Sequence, residues 1–380
     1  MKKIMLIFGT RPEAIKMLPL YHEIKKNKHF EVSVCVTGQH RDMLDQVLNL
    51  FEVIPDFDLN IMQSGQDLTD ITIKILDGLR DLFKNYRPDL VLVHGDTATT
   101  FASSLACYFE KIKVGHVEAG LRTYDLYSPW PEEGNRKLTS VLSTLNFAPT
   151  EQSKKNLVNE GYSEESIYIT GNTVIDALYF VIEKIEHNHK LNQELCDFFK
   201  FLNFDKKIIL ITGHRRENFG KGFENICLAI SQLAEQYQDI QFVYPMHLNP
   251  NVRDPVKKYL SSKNNVYLIE PLDYLPFVFL MNKSNFILTD SGGIQEEAPA
   301  LGKPVLLMRD TTERPEAVDA GTVKLVGTEK EKIINYAVNL INDNNLYSSM
   351  SLASNPYGKG DAAKNILYAI NKMFSDEMLV

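Results

Sequence analysis

Two α/β domains, each a Rossmann-like parallel sheet and facing each other across a cleft, are what this sequence predicts, on three observations. Apolar runs rich in Val, Ile and Leu alternate with segments of helical pattern, as parallel strands joined by helical crossovers do. The runs end in glycine or a polar group, which permits tight turns and close approach of a ligand. The chain has 380 residues, 44% of them AVILMFWYC, which is enough for two cores at ~150 residues per domain.

In order, IMLIFG, VSVCVTG, DLVLVHGD and KVGHVEAG supply the first strands, and FAPT and IYITGNTVIDALYF add two more and a helix leaving the first domain. Strand-end placement puts Gly9 to Lys16, Gly38 to Arg41, Gly95 to Thr99 and Glu118 to Arg122 on one rim. HNHKLNQELCDFFKFLNFD, about 187 to 205, is polar around short apolar contacts and fits a crossover linker. A second alternating system follows through KKIILITGHRREN, IQFVYPMHLNP, NVYLIEPLDYLPFVFLM, NFILTDSGGIQEEAPALGKPVLLM and TVKLVG. The expected division is 1–186, 187–360 and a last helix over 361–380 that can pack back on the first domain.

Charge narrows the function. Lysine and arginine number 41 against 49 acidic residues, a net charge of −8, so no broad cationic surface exists for nucleic acid or an anionic membrane. The opening MKKIMLIFGTRPEAIKM reads as a first strand, because Thr10, Arg11 and Glu13 interrupt it before a secretory apolar core is complete. No run nears the ~18–20 apolar residues that span a bilayer. No membrane insertion and a cytoplasmic location are therefore expected. Cys35, Cys107, Cys196 and Cys227 are too dispersed for a zinc or redox pair and read as free thiols.

The chemistry-bearing residues cluster where strands end. In GTRPEAIKM, Arg11 and Lys16 can hold an anion at a helix start, or simply cap it and form surface ion pairs. Asp96, just past a buried strand, suits a base or orienting carboxylate, or an N-cap. GHVEAGLRTYDLYSPWPEEGNRK crowds His116, Glu118, Arg122, Glu132, Glu133 and Arg136, with Pro129 and Pro131 favouring an extended loop around Trp130; neighbouring carboxylates divide acid and base roles or form surface ion pairs. His214 and Arg215, after another strand, suit a phosphate, or His214 is a structural histidine. Ser291, Gly292 and Gly293 open a helix through Gln295 and Glu296, where phosphate oxygens can approach backbone amides; Glu297, one turn in, can accept ribose hydroxyls, and Arg314 adds a cation. Nucleotide-diphosphate binding competes there with a tight capped turn. No histidine spacing matches a short metal-ligand set, so a metal-free reaction without cofactor is expected.

In this order GTRPEAIKM, TGQHRDMLDQVL, VHGDTATT, GHVEAGLRT, PWPEEGNRK, FAPT, GNTVIDAL, GHRREN, YPMHLNP, DSGGIQEEAP, GKPVLLMRDTTERPE and NPYGKG resemble the non-hydrolysing UDP-N-acetylglucosamine 2-epimerase family almost from end to end. The resemblance implies GT-B architecture, a homodimer, and reversible interconversion of UDP-GlcNAc and UDP-ManNAc through anti elimination of UDP and bound 2-acetamidoglucal. It assigns acid/base or supporting roles to Asp96, Glu118 and Glu132, with His214 on the phosphate side. Around the substrate it implies Arg11, Lys16, Arg136, Arg215, His247, Ser291, Gly292, Gly293, Gln295, Glu297 and Arg314. It also implies an allosteric UDP-GlcNAc position from Gln39, His40, Glu133 and Arg215 with an arginine of an Arg-Gln-Thr segment. Here the matching stretch is Gly65-Gln66-Asp67, without that arginine.

Overall fold

Apolar runs such as Leu90–Val93 and Phe286–Leu288 form buried strands that end where polar residues or glycine follow. The computed structural model describes residues 1–38, 41–63 and 65–377. Its first elements are β1 (Lys2–Phe8), α1 (Arg11–Lys25), β2 (Phe30–Val36), α2 (Arg41–Leu50), β3 (Phe57–Asp58), α3 (Leu68–Asn85), β4 (Leu90–His94), α4 (Ala98–Phe109), β5 (Lys113–Val117), α5 (Glu132–Leu142), β6 (Leu145–Ala148), α6 (Glu151–Asn159), β7 (Ile167–Ile169) and α7 (Thr173–His187). Then come α8 (His189–Phe198), β8 (Ile208–Thr212), α9 (Lys221–Gln236), β9 (Gln241–Pro245), α10 (Pro250–Leu260), β10 (Val266–Ile269), α11 (Tyr274–Lys283), β11 (Phe286–Thr289), α12 (Ile294–Ala300), β12 (Val305–Leu307), α13 (Pro315–Asp319), β13 (Val323–Leu325), α14 (Lys330–Asn342), α15 (Asn344–Ser351) and α16 (Ala362–Glu377).

The strands form two wholly parallel sheets, ordered β3-β2-β1-β4-β5-β6-β7 and β10-β9-β8-β11-β12-β13. A parallel sheet with helical crossovers is covered on both faces, which is why all five residues of β4 and all four of β11 are buried. The predicted α/β class with Rossmann-like sheets is the observed one. One core joins Met5, Ile7, Val91 and Val93 to Ile75 and Leu79 of α3; the other joins Ile209 and Ile211 to Ile226, Ile230 and Leu233 of α9.

The chain divides into two compact units, Met1–Ala177 with Tyr357–Val380, and Leu178–Pro356. The line falls inside α7 rather than at 186, and the chain from Tyr357, not from 361, goes with the first unit. There Asp176 accepts from the Ala362 and Ala363 amides at 3.2 and 3.0 Å, capping α16, which packs on α1. The segment expected as a linker over 187–205 is mostly the helix α8, because Asn188 caps it through the Leu191 amide (3.0 Å) and Leu195 supplies a buried contact. Cys35, Cys107 and Cys227 are buried free thiols, whereas Cys196 is only half-buried. Among the described residues, no helix is long and apolar enough to cross a membrane.

Candidate active site

Each sheet reverses its strand order once, between β1 and β4 in the first unit and between β8 and β11 in the second. Loops leaving neighbouring strands in opposite directions open a crevice at the strand carboxyl ends, the usual ligand position in such sheets. Gly9 to Lys16 and Gly95 to Thr99 leave the first reversal. Gly213 to Asn218 and Ser291 to Gly293 leave the second.

In the first unit, Glu118 follows β5 with φ of +64°, a left-handed conformation that costs a residue bearing a β-carbon and aims its side chain away from the strand direction. Its carboxylate receives the Lys16 ammonium and the Asn172 amide (2.8 Å), and His94 Nε2 lies 3.7 Å away. Burial opposes the charge, but Lys16 and His94 outweigh it and hold Glu118 well below the ordinary carboxylate value of 4.5. Asp96 pairs with Arg136, and its carbonyl accepts from Asn135 Nδ2 at 2.9 Å, so the β4 end is tied to the first turns of α5. Glu132 begins α5, and its Oε2 is a buried acceptor with no hydrogen-bond partner among the described residues. Thr97, not Asp96, caps α4.

Several expected roles take a different form. Glu13 is almost wholly buried and accepts from Gly9 N (3.1 Å), Thr10 N (2.9 Å), Thr10 Oγ1 (2.8 Å) and Thr97 Oγ1 (2.7 Å). It thereby fills the helix start from within, and Lys16 is turned to Glu118; Arg11 stays half-buried at the first position of α1. Glu133 is completely buried, accepting from the Thr123 and Tyr124 amides (both 3.1 Å) and from Arg136 (3.2 Å). Arg122 is an internal ion pair with Glu160 (2.8 Å). Burial pushes His116 down to about 3, against a hydrogen bond with the Gly95 carbonyl, so it is a neutral core residue. The segment before α5 is turned rather than extended, with a hydrogen bond from Ser128 N to Asp125 O at 3.0 Å. On it Tyr124, Tyr127 and Trp130 are 60, 81 and 62% exposed.

In the second unit, Asp290 is completely buried at the end of β11 and accepts from the His214 amide (2.9 Å), the Arg215 amide (2.9 Å) and Asn218 Nδ2 (3.2 Å). That carboxylate folds the GHRREN loop over the Ser291 turn. The His214 ring stacks on His247 with centroids 5.5 Å apart, and burial lowers its pKa; Asp290 opposes that shift, while His247 and Arg215 add to it. A β-carbon built on Gly292 would stand 2.7 Å from Arg314 Nη1 and 3.4 Å from Arg215 Nη2, so two guanidiniums close on bare backbone there. Arg314 is held by Glu296. Glu297 accepts from Tyr274 at 2.8 Å, with Oε1 engaged. Gln295 is completely buried, its amide accepting from Thr312 (2.7 Å) and donating to the Ser291 carbonyl (3.3 Å), so here it shapes the loop.

Gln39 and His40 lie outside the described residues. Where the resembled family carries Arg-Gln-Thr, Asp67 caps α3 through the Asp70 amide at 2.9 Å. Glu13, His94 and Asp290 shape these loops although the motifs do not single them out. A carboxylate directly after a buried strand, as at Asp96, was the signal available for Asp290. Among the described residues no cluster of His, Cys, Asp or Glu could hold a metal ion.

A family profile described as UDP-N-acetylglucosamine 2-epimerase matches residues 22–371. The chain belongs to the UDP-N-acetylglucosamine 2-epimerase family. It is 60% identical to the UDP-N-acetylglucosamine 2-epimerase of Escherichia coli strain K12 over 368 residues, 97% of this chain and 98% of that protein. A crystal structure of UDP-GlcNAc 2-epimerase from Neisseria meningitidis, bound to UDP-GlcNAc, matches with a TM-score of 0.89 and 56% identity over 97% of this chain and all of the other. Sucrose-phosphate synthase from Thermosynechococcus elongatus, 12% identical, shares the fold with a TM-score of 0.65 over 99% of this chain and 100% of its own. Membership in the epimerase family makes this chain an enzyme and agrees with GT-B architecture.

Proposed function

We propose that this enzyme interconverts UDP-GlcNAc and UDP-ManNAc without releasing free sugar. In this reading a carboxylate removes the C2 proton and UDP departs from C1 on the opposite face. The C1–O bond breaks as the C1=C2 bond of 2-acetamidoglucal forms. UDP then re-adds at C1 while C2 is protonated on its other face. Asp96, Glu118 and Glu132 are the candidate acids and bases. Arg215, Arg314, His214 and the Ser291 to Gly293 backbone receive the diphosphate, with Arg11, Arg136 and His247 in supporting contacts and Glu297 toward ribose.

The observation that carries this reading is the pair of guanidiniums at Gly292, on a chain of this family. A C2 hydrogen beside an acetamido group is only weakly acidic, so the developing negative charge on the departing diphosphate must be stabilised, and preorganised guanidiniums do that. Lys16 sets the basicity of one candidate base. In this structure it holds Glu118 at low basicity, and loss of that ion pair would make Glu118 a stronger base.

Incubation with UDP-GlcNAc in deuterated water tests the reaction. Both UDP-sugars should appear with deuterium at C2. Stoichiometric free ManNAc would show a hydrolysing enzyme instead, and unlabelled UDP-GlcNAc alone would overturn the proposal. A cytoplasmic homodimer belongs to the same reading; sedimentation at working concentration tests the dimer.

A further inference from the structure

Asn172 is 3% exposed, and every polar atom it carries is engaged. Its backbone N–H donates to the Tyr357 carbonyl (2.8 Å) and its carbonyl accepts from Ile175 N (3.1 Å). Its Oδ1 accepts from Val174 N (3.1 Å) at the start of α7, and its Nδ2 donates to Glu118 Oε2 (2.8 Å). A backbone N–H can only donate and an ionised carboxylate can only accept, so these two neighbours fix which way the side-chain amide points. Serine, threonine and aspartate open a helix about as well, but among the favoured caps asparagine alone adds an amide N–H beside its accepting oxygen. Capping therefore does not account for the residue type, and the buried carboxylate does.

The contacts on Glu118 are one-sided. Lys16, Asn172 and, at 3.7 Å, His94 Nε2 all address Oε2, whereas Oε1 lies 3.8 Å from where a β-carbon on Gly95, just past β4, would stand. Lys16 reaches Oε2 on a flexible four-carbon stem with rotatable donors and supplies charge; Asn172, anchored by its own backbone, supplies direction. We propose that Asn172 is a positioning residue that pins Oε2 of Glu118 and thereby leaves Oε1, toward the end of β4, for proton transfer at C2. The proposal rests on the reading that Glu118 takes part in that transfer.

The test is C2 exchange in deuterated water with Asn172→Ser, which keeps a capping oxygen but has no amide to reach Glu118. The kcat should fall at least about tenfold, as misplacement of a reacting group does, while KM and the affinity for UDP stay within about twofold. The melting temperature should stay within about 4 °C of wild type, because the cap survives. A double-mutant cycle then shows whether Asn172 acts through Glu118: in a Glu118→Gln chain, adding Asn172→Ser should lower the residual exchange less than about threefold. An unchanged kcat in Asn172→Ser, or the same fold loss in both backgrounds, overturns the proposal, since a cap that only shapes the fold would act alike in each. Should Asn172→Ser not fold, Asn172→Gly, also a tolerated cap, is read through the same cycle. Glu118→Gln alone separates the underlying reading. If it exchanges C2 within tenfold of wild type, Glu118 is not a proton-transfer group; if it is slow while the Asn172 variants behave as wild type, only the positioning idea fails.

Discussion

The same device recurs at single residues: a buried or half-buried charge holds another group where chemistry needs it. Glu118 shows it most directly, since Lys16, Asn172 and His94 surround a carboxylate that sits in left-handed backbone. Glu118→Gln keeps the size and the Asn172 contact but removes the proposed base. Turnover, read as deuterium entry at C2, should fall at least ~10²-fold, the usual contribution of a positioned general base. UDP affinity should change less than about twofold. Exchange within tenfold of wild type would remove Glu118 from the proton transfers. The pH dependence follows from its lowered pKa: the stabilisation from its ion pair is complete above 4.5, the unfolded value, and is lost as pH falls through the lower folded value, with no contribution at neutral pH to titration. Glu13 and Asp290 do for backbone what Lys16 does for Glu118, pinning strand-end loops with one buried carboxylate each.

At the scale of elements, α16 packs on α1 and is also tied to the first unit by a titrating cap. Burial raises Asp176 to about 6 from 3.8, against the Ala362 and Ala363 amides that favour its charge, with Asp361 adding to the rise. Between those two values the folded chain binds more proton than the unfolded one, so the sign is that of a cost: absent below about pH 4, growing as pH rises, complete above about pH 6. Its ceiling is roughly 3 kcal/mol for a shift of this size, less whatever solvent reaches the group. Chemical denaturation from pH 4 to 6 should therefore show wild type losing stability relative to Asp176→Asn, and parallel curves would rule the cap out as the titrating group. The strands were legible because stretches such as Leu90 to Val93 and Phe286 to Leu288 are unbroken apolar runs next to turn residues. Helix α8 was not, since its polar face dominates and only Leu195 is buried. Asp176 was illegible for a different reason: its partners Ala362 and Ala363 are distant in sequence, and only the fold brings them together.

For the whole molecule, the functional reading predicts a division of labour between the two units. Each has its own sheet and core, and the second, Leu178–Pro356, is one continuous stretch carrying Arg215, Arg314 and the Ser291 turn. Sequence motifs single out these loops because they follow strand ends, and the two strand-order reversals put them where a ligand is expected in such sheets. A ligand stabilises what it binds by RT ln(1 + [L]/Kd), about 2.7 kcal/mol at a hundredfold excess over Kd. UDP lacks the sugar, so in the proposed arrangement most of its contacts should fall on the second unit. Saturating UDP should raise the melting temperature of Glu118→Gln as much as that of wild type, and should fail to raise that of an Arg215→Ala/Arg314→Ala chain. Hydrogen exchange on wild type supplies the location: protection by UDP should centre on 213–218 and 291–293, with the carboxylate-bearing loops of the first unit following only when the sugar is present. Equal protection of both units by UDP, or a stabilisation that disappears with Glu118 alone, would mean that diphosphate and proton-transfer groups are not divided in this way.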